Sequence, residues 1–155
     1  MKEVQAYLKE CGAFFIATVE IDGERRRVGD GTSGIQPHVR AFGVSEIIRS
    51  TSGRSQGEND RLYIMTGKVK DVYKQMAANG KFEICALKPS GSEWMRVTGT
   101  LVNDDDFAVK EEFLNRNESL KSMYKADDDN MAVLYITNGI ARFCSFSAPE
   151  RKVRF

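Results

Sequence analysis

Most features that mark specialised protein classes are missing from, or scarce in, this 155-residue chain. Its three cysteines, Cys11, Cys85 and Cys144, are odd in number, far apart and set in apolar segments. This pattern excludes a disulfide framework and a cysteine zinc site, and it indicates small hydrophobic packing roles in a reducing compartment. With 23 lysines and arginines against 22 acidic residues, the net charge is only +1. No global basic field exists to bind nucleic acid, so any anion site must be local.

Long apolar runs are missing as well. Residues 1–20 lack the uninterrupted apolar core of a signal peptide, and no run approaches transmembrane length. The sequence has no internal repeat and no low-complexity tract. Hydrophobic residues make up 41% and charged residues 29% of the chain, as in ordinary soluble domains. We therefore expect residues 1–155 to form one cytoplasmic domain with a buried core and no membrane segment.

The most informative stretch is Leu62 to Lys70, where a strand pattern runs through Thr66 and Gly67 into a helix with a basic first turn. A helix N-terminus has unpaired N–H groups and the positive end of the helix dipole, so it attracts anions. A threonine hydroxyl, a glycine that permits close approach, and the additional charges of Lys68 and Lys74 predict a phosphate seat. A solvated basic helix face is the alternative interpretation.

The apolar spacing of this helix supports the first interpretation. One stripe at helical spacing is apolar and consists of Val69, Val72, Tyr73, Met76 and Ala77. Lys70 and Lys74 then lie four residues apart on the other side. Such a like-charge pair costs roughly 0.2–0.5 kcal/mol unless an anion is nearby. Asn79 followed by Gly80 is a good signal for the end of the helix.

The remaining segments are mostly strand-like. A first helix, ended by Gly12, has one apolar face made of Val4, Tyr7, Leu8 and Cys11. Strands are predicted over 13–21, 35–44, 62–65, 82–87 and 93–102, and a final hairpin joins 131–137 to 140–146 through Asn138-Gly139. Asp22-Gly23 predicts another hairpin turn, and we expect 62–65 to pair with 35–44. The acidic run 104–106 starts a further helix, with Val109, Phe113 and Leu114 on its buried side.

This order of elements predicts a mainly β fold, namely a six-stranded antiparallel barrel with peripheral helices. Residues 24–34 and 49–60 are rich in glycine, serine and charge, and both exceed ordinary hairpin length. They are either disordered surface insertions or a mobile rim over a ligand.

Several stretches of the chain, taken in order, resemble the FMN-binding split-barrel proteins related to pyridoxamine 5′-phosphate oxidase. The stretches are Pro37 to Gly43, Leu62 to Gly67, Lys70 to Met76 with Asn79, Glu93 to Gly99, Phe143 to Phe146, and the tail Arg154-Phe155. Each motif is common by chance, but their order and spacing make the resemblance fairly specific, and it covers almost the whole chain. It implies a split barrel that forms a homodimer with FMN shared at the interface.

The resemblance also implies site residues. It makes Arg40, Ala41 and Phe42 contacts of the flavin ring, mainly through backbone groups, with Gly43 in the same strand, and the matching arginine also reaches the ribityl and phosphate groups. It makes Thr66, preceded by Met65, a ribityl or phosphate contact. It makes Lys70 and Lys74 the counter-charges of the phosphate, and the position of Trp94 is one that approaches the ring from the partner subunit. The implied cofactor-binding set is therefore Arg40, Ala41, Phe42, Gly43, Met65, Thr66, Lys70, Lys74, Trp94 and Arg96.

The residue pattern agrees in part with this set. Arg40 falls on a polar strand face with Gln36, His38 and Phe42, a mixture that suits a ligand site. Trp94 and Arg96 share a strand face, so an indole and a cation there suit a flavin edge, where a cation stabilises the reduced form. The alternatives are a surface arginine at position 40 and, for the second pair, a tryptophan at the core edge beside a cross-strand cation.

Departures from the family pattern argue against one of the reactions that the family catalyses. The vitamin B6 oxidases carry a Ser-Arg-Lys-type cluster at the helix start, where this chain has Lys70, Asp71 and Val72. They also have a C-terminal extension with a tryptophan and an arginine, whereas this sequence ends at Phe155. The better resemblance is to short stand-alone members, described as general-stress or nitroimidazole-resistance-like flavoproteins. Pyridoxamine-phosphate oxidation is therefore not expected.

The expected function is flavin-dependent oxidoreduction by an FMN homodimer, with NAD(P)H as a candidate donor and a small acceptor such as a nitroaromatic or quinone. The chain shows no nucleophile arrangement, metal cluster, paired carboxylates or dinucleotide fingerprint, which fits chemistry carried by a cofactor. One alternative is a non-catalytic protein that stores or senses FMN, haem or a related phosphorylated ligand, with the single histidine, His38, as a candidate axial haem ligand. In an oxidoreductase, His38 is instead a candidate acid/base group or an incidental residue of an exposed strand. Another alternative is a structural dimerisation module.

Overall fold

The computed structural model describes residues 1–19, 37–51 and 60–155, and these form one curled antiparallel sheet with three helices. In chain order the elements are α1 (Lys2–Cys11), β1 (Ala13–Val19), β2 (Pro37–Gly43), a 3₁₀ turn (Val44–Glu46), β3 (Ile47–Ser50), β4 (Arg61–Gly67), α2 (Asp71–Asn79), β5 (Lys81–Leu87), β6 (Glu93–Asn103), α3 (Phe107–Arg116), a second 3₁₀ turn (Glu118–Ser122), β7 (Met131–Ser145) and β8 (Arg151–Arg154).

The order of the strands forces the sheet to curl. The path runs β2-β1-β5-β6-β7-β4-β3, with β8 also paired to β7. At about 4.8 Å per strand, seven strands laid flat would separate β2 from β3 by roughly 29 Å. Only the 3₁₀ turn Val44–Glu46 joins these two strands, and it reaches at most about 14 Å. The mainly β, antiparallel split-barrel prediction is therefore confirmed, with eight strands in the described part of the chain instead of six.

Alternating side chains divide the core into two clusters. The inner cluster fills the curl of the sheet and includes Phe14, Ile16, Ile84 and Val97, with residues of α1 and α2. The outer cluster lies between α3 and the opposite face of β4 and β7. β4 contributes to both clusters, because Leu62 and Ile64 point inward while Tyr63 and Met65 point outward. This is why six consecutive residues of β4 are buried.

Several predicted helix ends and buried faces are confirmed. α1 ends at Gly12 with φ 75°, and α2 ends at Gly80 with φ 66°, both in the left-handed region that favours glycine. β6 alternates as predicted, with Met95, Val97 and Leu101 buried. On α3, Val109, Phe113 and Leu114 form the buried side, also as predicted.

The predicted hairpin at Asn138-Gly139 is wrong, because β7 runs unbroken from Met131 to Ser145. Asn138 does take a positive φ of 53°, but β6 pairs with both halves of β7 and absorbs the irregularity as a register shift between Thr98 and Thr100. Gly139 exchanges two backbone hydrogen bonds with Phe155. A Cβ at position 139 would lie 2.6 Å from the Phe155 ring, so a larger residue there would displace that ring.

The predicted partner of β4 is also wrong, since β4 pairs with β3 and β7 and not with β2. β3 includes Arg49 and Ser50, which the sequence had assigned to the loop 49–60. The rest of that loop (52–59), the loop 24–34 and the Asp22-Gly23 turn lie outside the described residues. Cys85 is exposed, which corrects its predicted packing role.

The apolar stripe predicted for α2 is partly corrected. Val72 and Met76 are buried as predicted, but Val69 precedes the helix and is 74% exposed, and Ala77 is exposed. Gln75 takes the remaining buried place, where it accepts a 2.5 Å hydrogen bond from Thr18 of β1.

The start of α3 offers a test of this description of the fold. The Asp106 carboxylate accepts hydrogen bonds from the backbone N–H groups of Ala108 (2.9 Å) and Val109 (3.3 Å). We expect Asp106→Ala to lower the free energy of unfolding in urea by about 0.5–2 kcal/mol, because two helix N–H groups lose their acceptor. Asp106→Asn, which keeps a capping oxygen, should lose less than half as much. Equal losses in the two variants would contradict the capping role.

Candidate functional site

A cleft of about 370 Å³ lies where β2, the 3₁₀ turn and the start of α2 meet. Its volume falls within the range of small-molecule sites, which is about 300–1,000 Å³. The lining residues come from these three elements and from the segment that precedes α2: Arg40, Ala41, Phe42, Glu46, Val69, Lys70, Asp71 and Val72. The structure thus brings together four of the predicted site residues, namely Arg40, Ala41, Phe42 and Lys70.

The first turn of α2 gives the cleft an attraction for anions. Lys70 is the N-cap residue, with φ −75° and ψ 140°, and its side chain accepts no hydrogen bond from the helix. No side-chain oxygen of the N-cap residue therefore offsets the partial positive charge of the helix N-terminus, although the Asp71 carboxylate lies in the first turn. Because Lys70, Asp71 and Val72 all line the cleft, this end of α2 forms one of its walls.

β2 supplies the opposite wall. The Phe42 ring is buried and stacks on Phe14, with centroids 5.8 Å apart and an interplanar angle of 16°. The strand face that carries Arg40 and Phe42 is therefore buried in the core at Phe42. This corrects the prediction that Phe42 belongs to a polar face. Arg40 and Ala41 are exposed. A ligand in the cleft would meet the backbone of this strand and the Arg40 guanidinium.

Each lysine of the predicted phosphate seat lies near a carboxylate. Lys70 Nζ is 4.0 Å from Glu46 Oε1, and Lys74 Nζ is 3.0 Å from Asp71 Oδ1 and does not line the cleft. Lys68 Nζ is 2.5 Å from Asp105 Oδ2, a hydrogen bond that raises the pKa of the lysine. These contacts offset the like-charge repulsion that the sequence suggested, so the lysine pattern alone does not require a bound anion.

The predicted residues of β4 have different surroundings. Met65 packs in the outer core cluster, on the face of β4 that α3 covers. Gly67 does permit a close approach, but a Cβ there would meet the Tyr124 hydroxyl at 3.1 Å and the Asn130 side chain. The Thr66 hydroxyl is buried and has no hydrogen-bond partner in the described part of the chain. Met65 is thus an ordinary core residue, whereas the Thr66 hydroxyl is a buried polar group without a hydrogen-bond partner among the described residues.

Trp94 and Arg96 lie on the outer face of β6, away from the cleft. Arg96 donates two hydrogen bonds to Glu83, at 2.7 and 2.9 Å, and the Trp94 ring is 5.1 Å from the Phe146 ring. The strand register runs from Ala41 through Phe15 and Cys85 to Arg96, about 14 Å across three strand spacings. One protomer therefore does not bring these two residues to its own cleft.

Glu46 is the site residue that the sequence analysis missed. Its Oε2 accepts a 2.8 Å hydrogen bond from the backbone N–H of Gly43, and this bond holds the carboxylate at the cleft. A glutamate three residues after a turn-forming Gly43 is the spacing of a capping box, so the sequence did contain a signal. Gly43 itself contributes this backbone N–H and not a lining surface.

Two further observations concern metal sites and membrane-spanning helices, neither of which the sequence analysis expected. Among residues 1–19, 37–51 and 60–155, no group of three or more histidine, cysteine, aspartate or glutamate side chains is arranged to hold a metal ion. Within the same ranges, no helix has the length and apolarity to cross a membrane.

The strand order and the curl of the sheet define a split barrel with a cleft at the start of α2. The chain belongs to the pyridoxamine 5′-phosphate oxidase family, whose model matches residues 1–138. No curated protein matches the chain significantly.

Solved structures agree with this assignment. A NimC/NimA family protein from Clostridium acetobutylicum is 37% identical, with a TM-score of 0.80, over 100% of this chain and 92% of that one. General stress protein 26 from Bacillus anthracis is 15% identical, with a TM-score of 0.66, over 99% and 97%. A pyridoxamine 5′-phosphate oxidase-related, FMN-binding protein from Nostoc punctiforme is 13% identical, with a TM-score of 0.55, over 99% and 95%. The last two show similarity of fold.

The Lys68 contact belongs to a charge cluster that ties the segment before α2 to α3. Asp105, with φ 48°, lies between Lys68 and the buried Lys110, whose Nζ is 3.3 Å from Asp105 Oδ1. Burial by itself would raise the pKa of Asp105, but the hydrogen bonds and charges of the two lysines outweigh it and lower the pKa. The ionised carboxylate therefore stabilises the fold.

We expect Asp105→Asn to lower the free energy of unfolding by about 2 kcal/mol at pH 7, since it leaves two partly buried lysines without their counter-charge. Because the folded-state pKa is lowered, this stabilisation is complete above the unfolded pKa of about 4 and is lost as the pH falls through the folded value. Urea unfolding from pH 7 to pH 3 measures it. Glu118→Gln, which breaks the exposed pair with Lys121, is the control and should cost less than about 0.5 kcal/mol. A loss for Asp105→Asn that does not shrink at low pH would contradict the charge argument.

Proposed function

We propose that this protein is an FMN-binding flavoprotein that acts as an oxidoreductase on a small-molecule acceptor. The observation that carries the proposal is the cleft at the start of α2, where Arg40, Lys70 and a helix N-terminus without a side-chain cap lie together. Membership of the pyridoxamine 5′-phosphate oxidase family supports it, and so does the similarity to a protein that is itself described as FMN-binding.

The residues of the cleft suit an FMN molecule. Two cations and the positive end of α2 are appropriate partners for a phosphate dianion. The exposed edge of β2 at Arg40 and Ala41 offers backbone groups to a planar ring. The Thr66 hydroxyl is buried and does not line the cleft, but it has no hydrogen-bond partner among the described residues. When bound, FMN supplies reversible hydride and electron transfer. Arg40 and Lys70 would hold the phosphate, and β2 would orient the ring.

We also propose that the protein functions as a homodimer. α3 covers the outer face of β4 and β7, but among residues 1–19, 37–51 and 60–155 no helix covers the outer face of β1, β2, β5 and β6. We call this the open sheet face. It exposes Phe15 (55%), Val39 (60%) and Leu87 (54%), more contiguous apolar surface than isolated surface residues provide.

The position of the open sheet face suggests how two copies would meet. Ala41 lies at one side of this face, beside the cleft, and Trp94 and Arg96 lie at the other side. In a two-fold dimer each residue contact occurs twice, with the roles of the subunits exchanged. Packing of two open sheet faces would therefore bring the partner's Trp94 towards the cleft of the first subunit.

Flavin binding gives the first test of this function. We expect the purified protein, incubated with FMN and desalted, to retain a two-band flavin absorption spectrum. Lys70→Ala should weaken FMN binding by roughly tenfold, which is the lower end of the contribution of a charge-assisted contact, about 1.5–3 kcal/mol. Lys74→Ala, which removes the same charge outside the cleft, should change the affinity less than twofold. Fluorescence titration with FMN measures the dissociation constants of the wild-type protein and the two lysine variants.

The other outcomes of that test are equally informative. A colourless protein that does not bind FMN would overturn the proposal, and a Soret band would favour haem instead. Equal weakening by the two lysine variants would contradict the assignment of the phosphate to the cleft. For a protein that does bind FMN, turnover of a nitro compound with NADH or NADPH distinguishes an oxidoreductase from a storage protein.

Dimer formation through the open sheet face predicts that Phe15→Glu is monomeric, because a charge at the centre of an apolar contact is left desolvated and unpaired. Sedimentation velocity measures the oligomeric state. Phe107→Glu is the matched control, since Phe107 is 51% exposed but lies on α3, and it should leave the dimer intact. A monomeric wild-type protein, or a dimeric Phe15→Glu variant, would refute the proposed interface.

A further inference from the structure

The charges that line the cleft are balanced, although the cleft is the candidate phosphate site. Its two cations, Arg40 and Lys70, face two carboxylates, Glu46 and Asp71. Asp71 is directed outward, with a side chain 71% exposed and 3.0 Å from Lys74. Glu46 differs, since its side chain is only 21% exposed. A phosphate that enters the cleft would therefore encounter a fixed negative charge.

The geometry holds the Glu46 carboxylate where it competes with such a phosphate. Glu46 Oε2 accepts the hydrogen bond from the Gly43 N–H at 2.8 Å, which ties the side chain to the end of β2. The other oxygen, Oε1, is 4.0 Å from Lys70 Nζ. That separation is at the outer limit of an ion pair, so Lys70 is not committed to Glu46 and can turn to an incoming anion. The carboxylate nevertheless attracts Lys70 and repels the anion.

We propose that Glu46 sets the selectivity of the cleft between phosphate-bearing and phosphate-free ligands. By repelling the phosphate and offsetting part of the charge of Lys70, it reduces the gain in affinity that a phosphate group brings, so that FMN binds only modestly better than riboflavin. The remaining affinity then comes from the ring and the ribityl chain. This inference rests on the proposed function, because it takes the cleft to be the flavin site.

The test is a comparison of four dissociation constants, measured by fluorescence titration of FMN and riboflavin with the wild-type protein and with Glu46→Gln. The amide oxygen of glutamine still accepts the Gly43 N–H, so the variant removes the charge and keeps the turn. For the wild type we expect a preference for FMN of about tenfold or less, equivalent to about 1.4 kcal/mol. Glu46→Gln should raise this preference about tenfold, through tighter FMN binding with riboflavin affinity unchanged. Glu111→Gln on α3, which is exposed and outside the cleft, is the control and should leave both constants unchanged.

Each other result overturns the inference in a distinguishable way. A wild-type preference for FMN above about 100-fold would show that Glu46 does not weaken the phosphate contribution, and this readout does not depend on how the variant folds. An unchanged ratio in a folded Glu46→Gln protein that still binds FMN would refute the role of Glu46 alone. Binding of neither flavin by the wild-type protein would overturn the proposed function together with this inference.

Discussion

The short connection between β2 and β3 constrains the rest of the structure. These strands are the two ends of the sheet path, yet only Val44–Glu46 lies between them. The sheet must therefore curl until its edges come close, and the curl encloses the inner core cluster. The same three residues place Glu46 beside the end of β2 and opposite the start of α2. The cleft is thus a consequence of how the sheet closes.

Closure also gives the two faces of the sheet different surroundings. The inner face is mostly apolar, with Thr18 and Thr66 as buried polar exceptions, while the outer face is divided. Where α3 packs, β4 and β7 are buried on both sides, and Tyr63, Met65 and Val133 complete a second core cluster. Where none of the described helices packs, apolar side chains such as Phe15 and Val39 are exposed. The described part of the chain thus combines one half of the sheet that α3 covers with one half whose outer face no described helix covers.

Local charge contacts account for the lysines near the cleft. The segment that links β4 to α2 is fastened by Lys68 to Asp105, which in turn contacts the buried Lys110 of α3. Lys74 contacts Asp71 on the helix surface. Lys70, 4.0 Å from Glu46, makes the loosest of these contacts. The lysine with the weakest carboxylate contact is also the one that lines the cleft, which makes its charge the most available to a ligand.

Sequence patterns predicted those features that depend on a residue and its near neighbours. Gly12 and Gly80 end their helices, β6 alternates, and α3 buries Val109 and Phe113, because each depends on local periodicity or on a left-handed backbone position. Of the residues implied by the family resemblance, Arg40, Ala41, Phe42 and Lys70 line one cleft.

Tertiary structure decided what depends on pairing between distant segments. Asn138-Gly139 has the sequence of a hairpin turn, but pairing with the long β6 on one side and with Phe155 on the other holds it as a bulge in one strand. The partner of β4 and the outward position of Trp94 and Arg96 are likewise set by strand order. The sequence alone determined the local elements and their buried faces, because backbone preferences and periodicity act over a few residues. Only the folded sheet decided which elements meet, because long-range pairing and closure outweigh the preference of any single turn.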